Sequence, residues 1–174
     1  NILGPLANPA CATRQLLGVY SDELIDPMAE TLDRLGVRKG LVVHSREGLD
    51  EISNTGSTSC CLTENGKRTH FKIKPEDFGY KRADIEEIQG QDAQENAQII
   101  RDIFAGKQGP CRDIVCMNAG AALMLAGNCA TIADGVRKAE IIIDSGLAAR
   151  KLDEIMTTSQ ELGTKASQNG SVGA

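Results

Sequence analysis

Aromatic side chains are scarce in this chain, at 3% of 174 residues with no tryptophan. Platforms that stack nucleic-acid bases need several of them, so that class of function is excluded, and the core must be built from Leu, Ile, Val, Ala and Met. Blocks of like charge are also missing. The 19 basic and 24 acidic residues are interspersed and leave a net charge of −5, which offers no docking field to nucleic acid or to an anionic membrane. No apolar run approaches the roughly 20 residues that span a bilayer, and no charged segment with a short apolar core opens the chain. The six cysteines show no C-x-x-C spacing and lie inside apolar runs, so they read as reduced thiols of a cytoplasmic protein rather than disulfides or zinc ligands. No repeat of solenoid length is visible.

What is present suits one α/β domain, since the length allows one buried core and not two. "RQLLGVYS", with Leu17, Val19 and Tyr20, reads as a buried strand. A helix follows, with Ser21 as a candidate N-cap, Leu24, Met28, Leu32 and Leu35 at helical spacing, Pro27 placing the true start near Asp26, and Gly36 as the stop. "KGLVVHS", Lys39 to Ser45, is a second strand, giving a βαβ unit with parallel pairing. Thr58 to Ile73 reads as a β-hairpin turning at Asn65-Gly66, with Lys67, Arg68 and His70 on an exposed ribbon.

Residues 74–90 read as loop with one helical turn near Asp84 to Ile88. Asp92 and Glu95 open a helix whose inward face is Ala93, Ala97, Ile100 and Phe104. Ile114 to Ala126 is apolar on nearly every side and reads as a buried core helix. Two more helices follow. One is capped by Thr131, with Ile132, Val136, Ala139 and Ile143 inward; the other carries Leu147, Leu152, Ile155 and Met156 up to Gly163. The small, polar stretch 164–174 is expected to be a disordered tail. The predicted sheet is mostly parallel, flanked by helices, with a β-hairpin added.

The candidate site is "GLDEISNTGST", Gly48 to Thr58. Asp50 and Glu51 follow a strand by a short loop, and ligands of open α/β sheets bind near strand carboxyl ends. Two hard oxygen donors suffice for Mg²⁺, which fills its shell with waters and substrate phosphates. A solvated pair of acids in a loop is the competing reading of the same residues. The segment fails the EF-hand pattern. His44 reads as a hydrogen-bonded anchor for this loop, His70 as a surface residue, and Asn118 as an interhelical hydrogen-bonder. "NILGPLANP" reads as a rigid connection or hinge: Gly4-Pro5 and Pro9 constrain the backbone, and Asn1 and Asn8 can bond it. Its abrupt start suggests that the chain begins in mid-protein.

In this order and spacing, "NILGPLANP", "LLGVYS", "LVVHS", "GLDEISNTGST", "PEDFG", "GQDAQENAQII", "NAGAAL" and "IIDSGLAARKL" resemble the C-terminal half of the anthranilate phosphoribosyltransferases, over Asn1 to about Leu162. The resemblance implies an incomplete phosphoribosyltransferase/nucleoside-phosphorylase-like domain, with residues 1–163 forming the C-terminal part of the large α/β domain. It implies transfer of phosphoribosyl from phosphoribosyl pyrophosphate to anthranilate in tryptophan biosynthesis, dependence on Mg²⁺, and a homodimer formed through a small helical domain. In the family the D-E pair binds the metal, which maps to Asp50 and Glu51, and Gly4 and Pro5 fall near the anthranilate channel and hinge. The family's glycine-rich phosphate loop, its K-H-G-N segment, its metal-site serine and its carboxylate-binding arginine all precede the matched region. The catalytic residues are therefore expected upstream, and this chain alone is expected to be inactive. Ser57 replaces a usual proline and Ser45 a usual glycine, both read as peripheral. A related nucleoside phosphorylase, a phosphoribosyltransferase with another acceptor, and a stand-alone binding module are the alternatives.

Overall fold

Four strands form one sheet in the order β1 (Arg14–Gly18), β2 (Lys39–Ser45), β3 (Thr58–Glu64) and β4 (Lys67–Ile73). The computed structural model describes residues 3–7 and 11–169, so Asn1, Asn8 and Pro9 of the expected hinge lie outside the described residues. A four-residue helix, α1 (Leu3–Leu6), holds Gly4 and Pro5. β1 and β2 are parallel, joined through α2 (Ile25–Arg34) as the βαβ pattern predicts. β3 and β4 form the expected hairpin, with Asn65 and Gly66 both at positive φ, 52° and 80°. The sheet is not mostly parallel, however. β3 pairs antiparallel with β2 along all of Lys39–Ser45, so one parallel pair and two antiparallel pairs make a mixed sheet among the described residues. The hairpin extends the β2 edge instead of standing apart from it.

Adjacent residues of a strand point to opposite faces, and the sheet uses both. Val42 and Cys61 face α2, where Leu17, Val19, Met28, Ala29 and Leu32 close one core. Leu41, Val43 and Cys60 face the other way. There they meet α3 (Ala93–Phe104), α4 (Pro110–Leu125) and α5 (Ile132–Asp144) through Ile103, Met117, Ala121, Val136 and Ile143. The sheet is thus sandwiched between one helix and several. α6 (Leu147–Asn169) follows α5.

Two helix starts obey their caps: the Asp92 carboxylate accepts from the Gln94 and Glu95 N–H groups, and the Thr131 side chain from Asp134 N–H, whereas Ser21 makes no side-chain cap bond and leads into a 3-10 turn, Asp22–Leu24, ahead of α2. Other expectations change. Tyr20 is exposed, because β1 ends at Gly18. Ile100 is also exposed; the inward face of α3 is Ile99 and Ile103, four residues apart. α4 starts one turn before Ile114, with Pro110 in its first turn, where a missing N–H costs nothing. Residues 75–78 add a 3-10 turn beside the expected one, which covers Ile85–Glu87. Gly163 does not end α6, which runs on to Asn169 because a lone glycine without a following proline costs only about 1 kcal/mol. Residues 170–174 lie outside the described residues.

Candidate functional site

The loop from β2 to β3 is tied to its surroundings on both sides of its carboxylates. Ser45, the last residue of β2, is fully buried; its N–H donates to the Leu49 carbonyl at 3.0 Å and its hydroxyl accepts from the Leu49 N–H at 2.9 Å. Its hydroxyl closes the turn that presents Asp50, so Ser45 is not peripheral. Beyond the acids, Ile52, Ser53 and Asn54 are all 0% exposed, and their polar groups are bonded both within the loop and to α4, except that the buried Asn54 Oδ1 has no hydrogen-bond partner. Ser53 N–H donates to Thr58 Oγ1 at 3.1 Å, Thr55 N–H to Ser53 Oγ at 3.0 Å, and the Asn54 amide to the Pro110 carbonyl at 2.8 Å.

Two residues from other elements set where the acids sit. The main-chain oxygen of Asp50 lies against Gly18, the last residue of β1, so closely that a Cβ there would fall 1.5 Å from it. From α4, Asn118 bonds both main-chain polar groups of Ile52: Oδ1 accepts its N–H at 3.0 Å, and Nδ2 donates to its carbonyl at 2.7 Å. Asn118 therefore holds the acidic loop and is not an interhelical bonder. His44 is an anchor, but for the chain just after β1: its Nδ1–H donates to the Val19 carbonyl at 2.8 Å. His70 is exposed, as expected, and bonds Asp26.

Asp50 and Glu51 both have open surface, and no ion pair among the described residues engages either carboxylate. Partial burial, and then the negative charge of Asp50, pushes the Glu51 carboxyl above its ordinary range. Two uncompensated acids on a fixed backbone at a strand's carboxyl end fit a hard divalent cation such as Mg²⁺, which would relieve their repulsion. Pro5 of the Gly-Pro segment and Asp50 line one small cleft of about 60 Å³, together with Gly18 and Tyr20. The residues that sequence reasoning missed are Gly18 and Ser45. Each lies 32 or fewer positions from Asp50 in the chain, and no local pattern marks what it does there.

The model of the glycosyl transferase family, a/b domain, matches residues 1–149. The chain belongs to this family. Within it, the chain is similar to anthranilate phosphoribosyltransferases, as the ordered motifs indicate. The enzyme of that name from Clostridium beijerinckii is 47% identical over 155 residues, covering 89% of this chain and 46% of the relative. The crystal structure of anthranilate phosphoribosyltransferase from Thermus thermophilus superposes with a TM-score of 0.78 at 40% identity, over 88% of this chain and 45% of that one. The Saccharomyces cerevisiae enzyme in complex with PRPP and Mg superposes with a TM-score of 0.78 at 28% identity, over 87% of this chain and 44% of that one. The chain thus spans about half the length of the curated relatives it matches. Among the described residues, no helix of this family member is long and apolar enough to cross a membrane.

Proposed function

We propose that this glycosyl transferase family chain is the C-terminal part of an anthranilate phosphoribosyltransferase, a cytoplasmic, homodimeric enzyme of tryptophan biosynthesis. The intact protein would transfer phosphoribosyl from phosphoribosyl pyrophosphate to the amine of anthranilate and release pyrophosphate. The observation that carries this reading is the pairing of Asp50 and Glu51, unpartnered and rigidly presented, within a chain similar to anthranilate phosphoribosyltransferases over nearly its whole described length.

In this reading Asp50 and Glu51 hold Mg²⁺. A divalent cation bound there supplies positive charge against the negative charge that grows on departing pyrophosphate. The chain's own part is orientation: Ser45, Gly18 and Asn118 fix the backbone on either side of the two carboxylates, so the pair does not reorganise when the metal-pyrophosphate group arrives. Anthranilate's aromatic amine is unprotonated at neutral pH and needs placing more than activating. The phosphate loop and the carboxylate-binding arginine would come from the rest of the protein, which leaves this chain inactive by itself.

The test is an assay of the full-length gene product with anthranilate, phosphoribosyl pyrophosphate and Mg²⁺, following the loss of anthranilate fluorescence. Turnover is expected, with a much higher Mg²⁺ requirement in the Asp50→Asn, Glu51→Gln double variant. No turnover would overturn the substrate assignment, and an unchanged Mg²⁺ requirement would remove the two acids from the metal site.

A further inference from the structure

The α2 face of the sheet brings together three metal-binding side chains from three different elements. Cys61 on β3 and His70 on β4 are directly opposite each other in the antiparallel ladder, so their side chains leave the sheet on the same face. Asp26, in the first turn of α2, reaches down to that pair, with its Oδ1 2.6 Å from His70 Nε2. One sulfur, one imidazole nitrogen and one carboxylate oxygen all lie within 4.8 Å of one another. Among the described residues this is the one such group of three.

The donor set decides the class of ion. Thiolate and imidazole are poor partners for Mg²⁺ or Ca²⁺ and good ones for Zn²⁺ and its neighbours. Bonds of about 2.0–2.3 Å in a tetrahedron place ligand atoms roughly 3.3–3.7 Å apart. That spacing is reached here by small side-chain movements. Cys61 is 0% exposed on a central strand and supplies a fixed point, whereas the Asp26 and His70 side chains are 65% and 56% exposed and free to adjust. Their exposure leaves a fourth position open to water. Of the two β4 cations placed two residues either side of His70, Arg68 is engaged by Glu30 at 3.7 Å, and Lys72 lines a cleft with Asp26 and His70.

We propose that Asp26, Cys61 and His70 form a binding site for a thiophilic divalent cation of the Zn²⁺ class, distinct in chemistry from the carboxylate pair at Asp50 and Glu51. Its ligands are 35 and 9 residues apart in the chain and come from a helix and two strands, so no C-x-x-C or H-x-x-x-H spacing announces it.

Titration of the purified protein with Co²⁺ tests the site, because a cobalt-thiolate bond gives a charge-transfer absorption that oxygen-only sites lack. The expected result is a charge-transfer band and tetrahedral d–d bands, both removed by equimolar Zn²⁺. Cys61→Ser should abolish the charge-transfer band, and His70→Ala and Asp26→Asn should each weaken Co²⁺ binding at least ~10-fold. Cys60→Ser should leave the spectrum unchanged. Because Cys61 is buried and its replacement can disturb folding, the exposed His70→Ala variant carries the same decision: Co²⁺ binding equal to that of the parent protein overturns the proposal. So does the absence of a charge-transfer band in the parent protein at micromolar Co²⁺.

Discussion

Asn118 in α4 and Ile52 in the acidic loop are joined by a two-way bond, 3.0 Å to the Ile52 N–H and 2.7 Å to its carbonyl, across 66 residues of sequence. Ile52 directly follows Glu51 and is itself fully buried, so water cannot replace the amide. The relationship converts a surface loop into a fixed platform for the two carboxylates.

Removing that amide should therefore cost more than an ordinary hydrogen bond. In Asn118→Ala, two buried main-chain groups lose their partners, and unfolding in urea is expected to show a loss of about 2–4 kcal/mol. Asn118→Asp is the sharper variant. A carboxylate still accepts from the Ile52 N–H but cannot donate to its carbonyl, so this near-isosteric change should destabilise almost as much as alanine. If aspartate matches the parent protein in urea midpoint, the amide does not hold the loop in the way described.

The Gly18→Ala substitution probes the other side of the same platform. A methyl group there would lie 1.5 Å from the Asp50 carbonyl oxygen, and the obstacle is main chain, which cannot swing away as a side chain can. β1 is paired with β2 through Gly18 and Val43, so the loop must move rather than the strand. The expected outcome is a clear loss of stability together with a raised Mg²⁺ requirement in the full-length enzyme. A variant that keeps the parent's Mg²⁺ titration would show that Asp50 is not placed by this contact.

These two residues mark what the sequence does and does not disclose. The βαβ pattern, the Asn65-Gly66 turn and the caps at Asp92 and Thr131 are local signals, and the structure bears them out. The role of Asp50 and Glu51 as metal ligands is a proposal that rests on resemblance, while their place a short loop after a strand is legible from position. The partner of Asn118 is not, because a polar residue in an apolar helix has several directions in which to satisfy its bonds and the chosen one lies 66 residues away. Ile100 and Ile99 are equally apolar neighbours, and a choice between them needs the rotation of α3 against the core. The sheet's mixed pairing escapes for a related reason: a hairpin's internal signals are the same whether or not its first strand also pairs with another edge.

Alkaline pH should weaken the fold through Cys60. Burial, with Cys61 beside it, pushes the Cys60 thiol up to about 12, whereas an unfolded thiol ionises near pH ~8.5. Between these values the unfolded chain gives up a proton that the folded chain keeps. This contribution to stability is complete below about pH 8.5 and falls as pH rises, by about 1.4 kcal/mol per pH unit, until Cys60 itself ionises. Urea midpoints measured from about pH 7 to about pH 10.5 should decline less steeply in Cys60→Ala than in the parent protein. Parallel curves would contradict the assignment, whatever fixed cost the smaller side chain brings.

The contact between α4 and α5 opposes two effects of known sign. Gly120 and Gly135 sit where the helices touch: a Cβ on Gly120 would meet the Val136 main-chain nitrogen at 2.5 Å, and one on Gly135 the Gly120 carbonyl oxygen at 2.2 Å. Helix propensity alone favours alanine over glycine by about 1 kcal/mol. Overpacking against main chain costs roughly 1–3 kcal/mol, and here neither helix can yield without disturbing Met117, Ala121 and Val136 in the core. Packing should win, so Gly120→Ala and Gly135→Ala are each expected to lower the urea midpoint. Because one separation of the two helices relieves both clashes, the double variant should cost less than the sum of the singles. Strict additivity would mean that the helices do not move as units, and a stabilised single variant would mean that they are not in contact at these glycines.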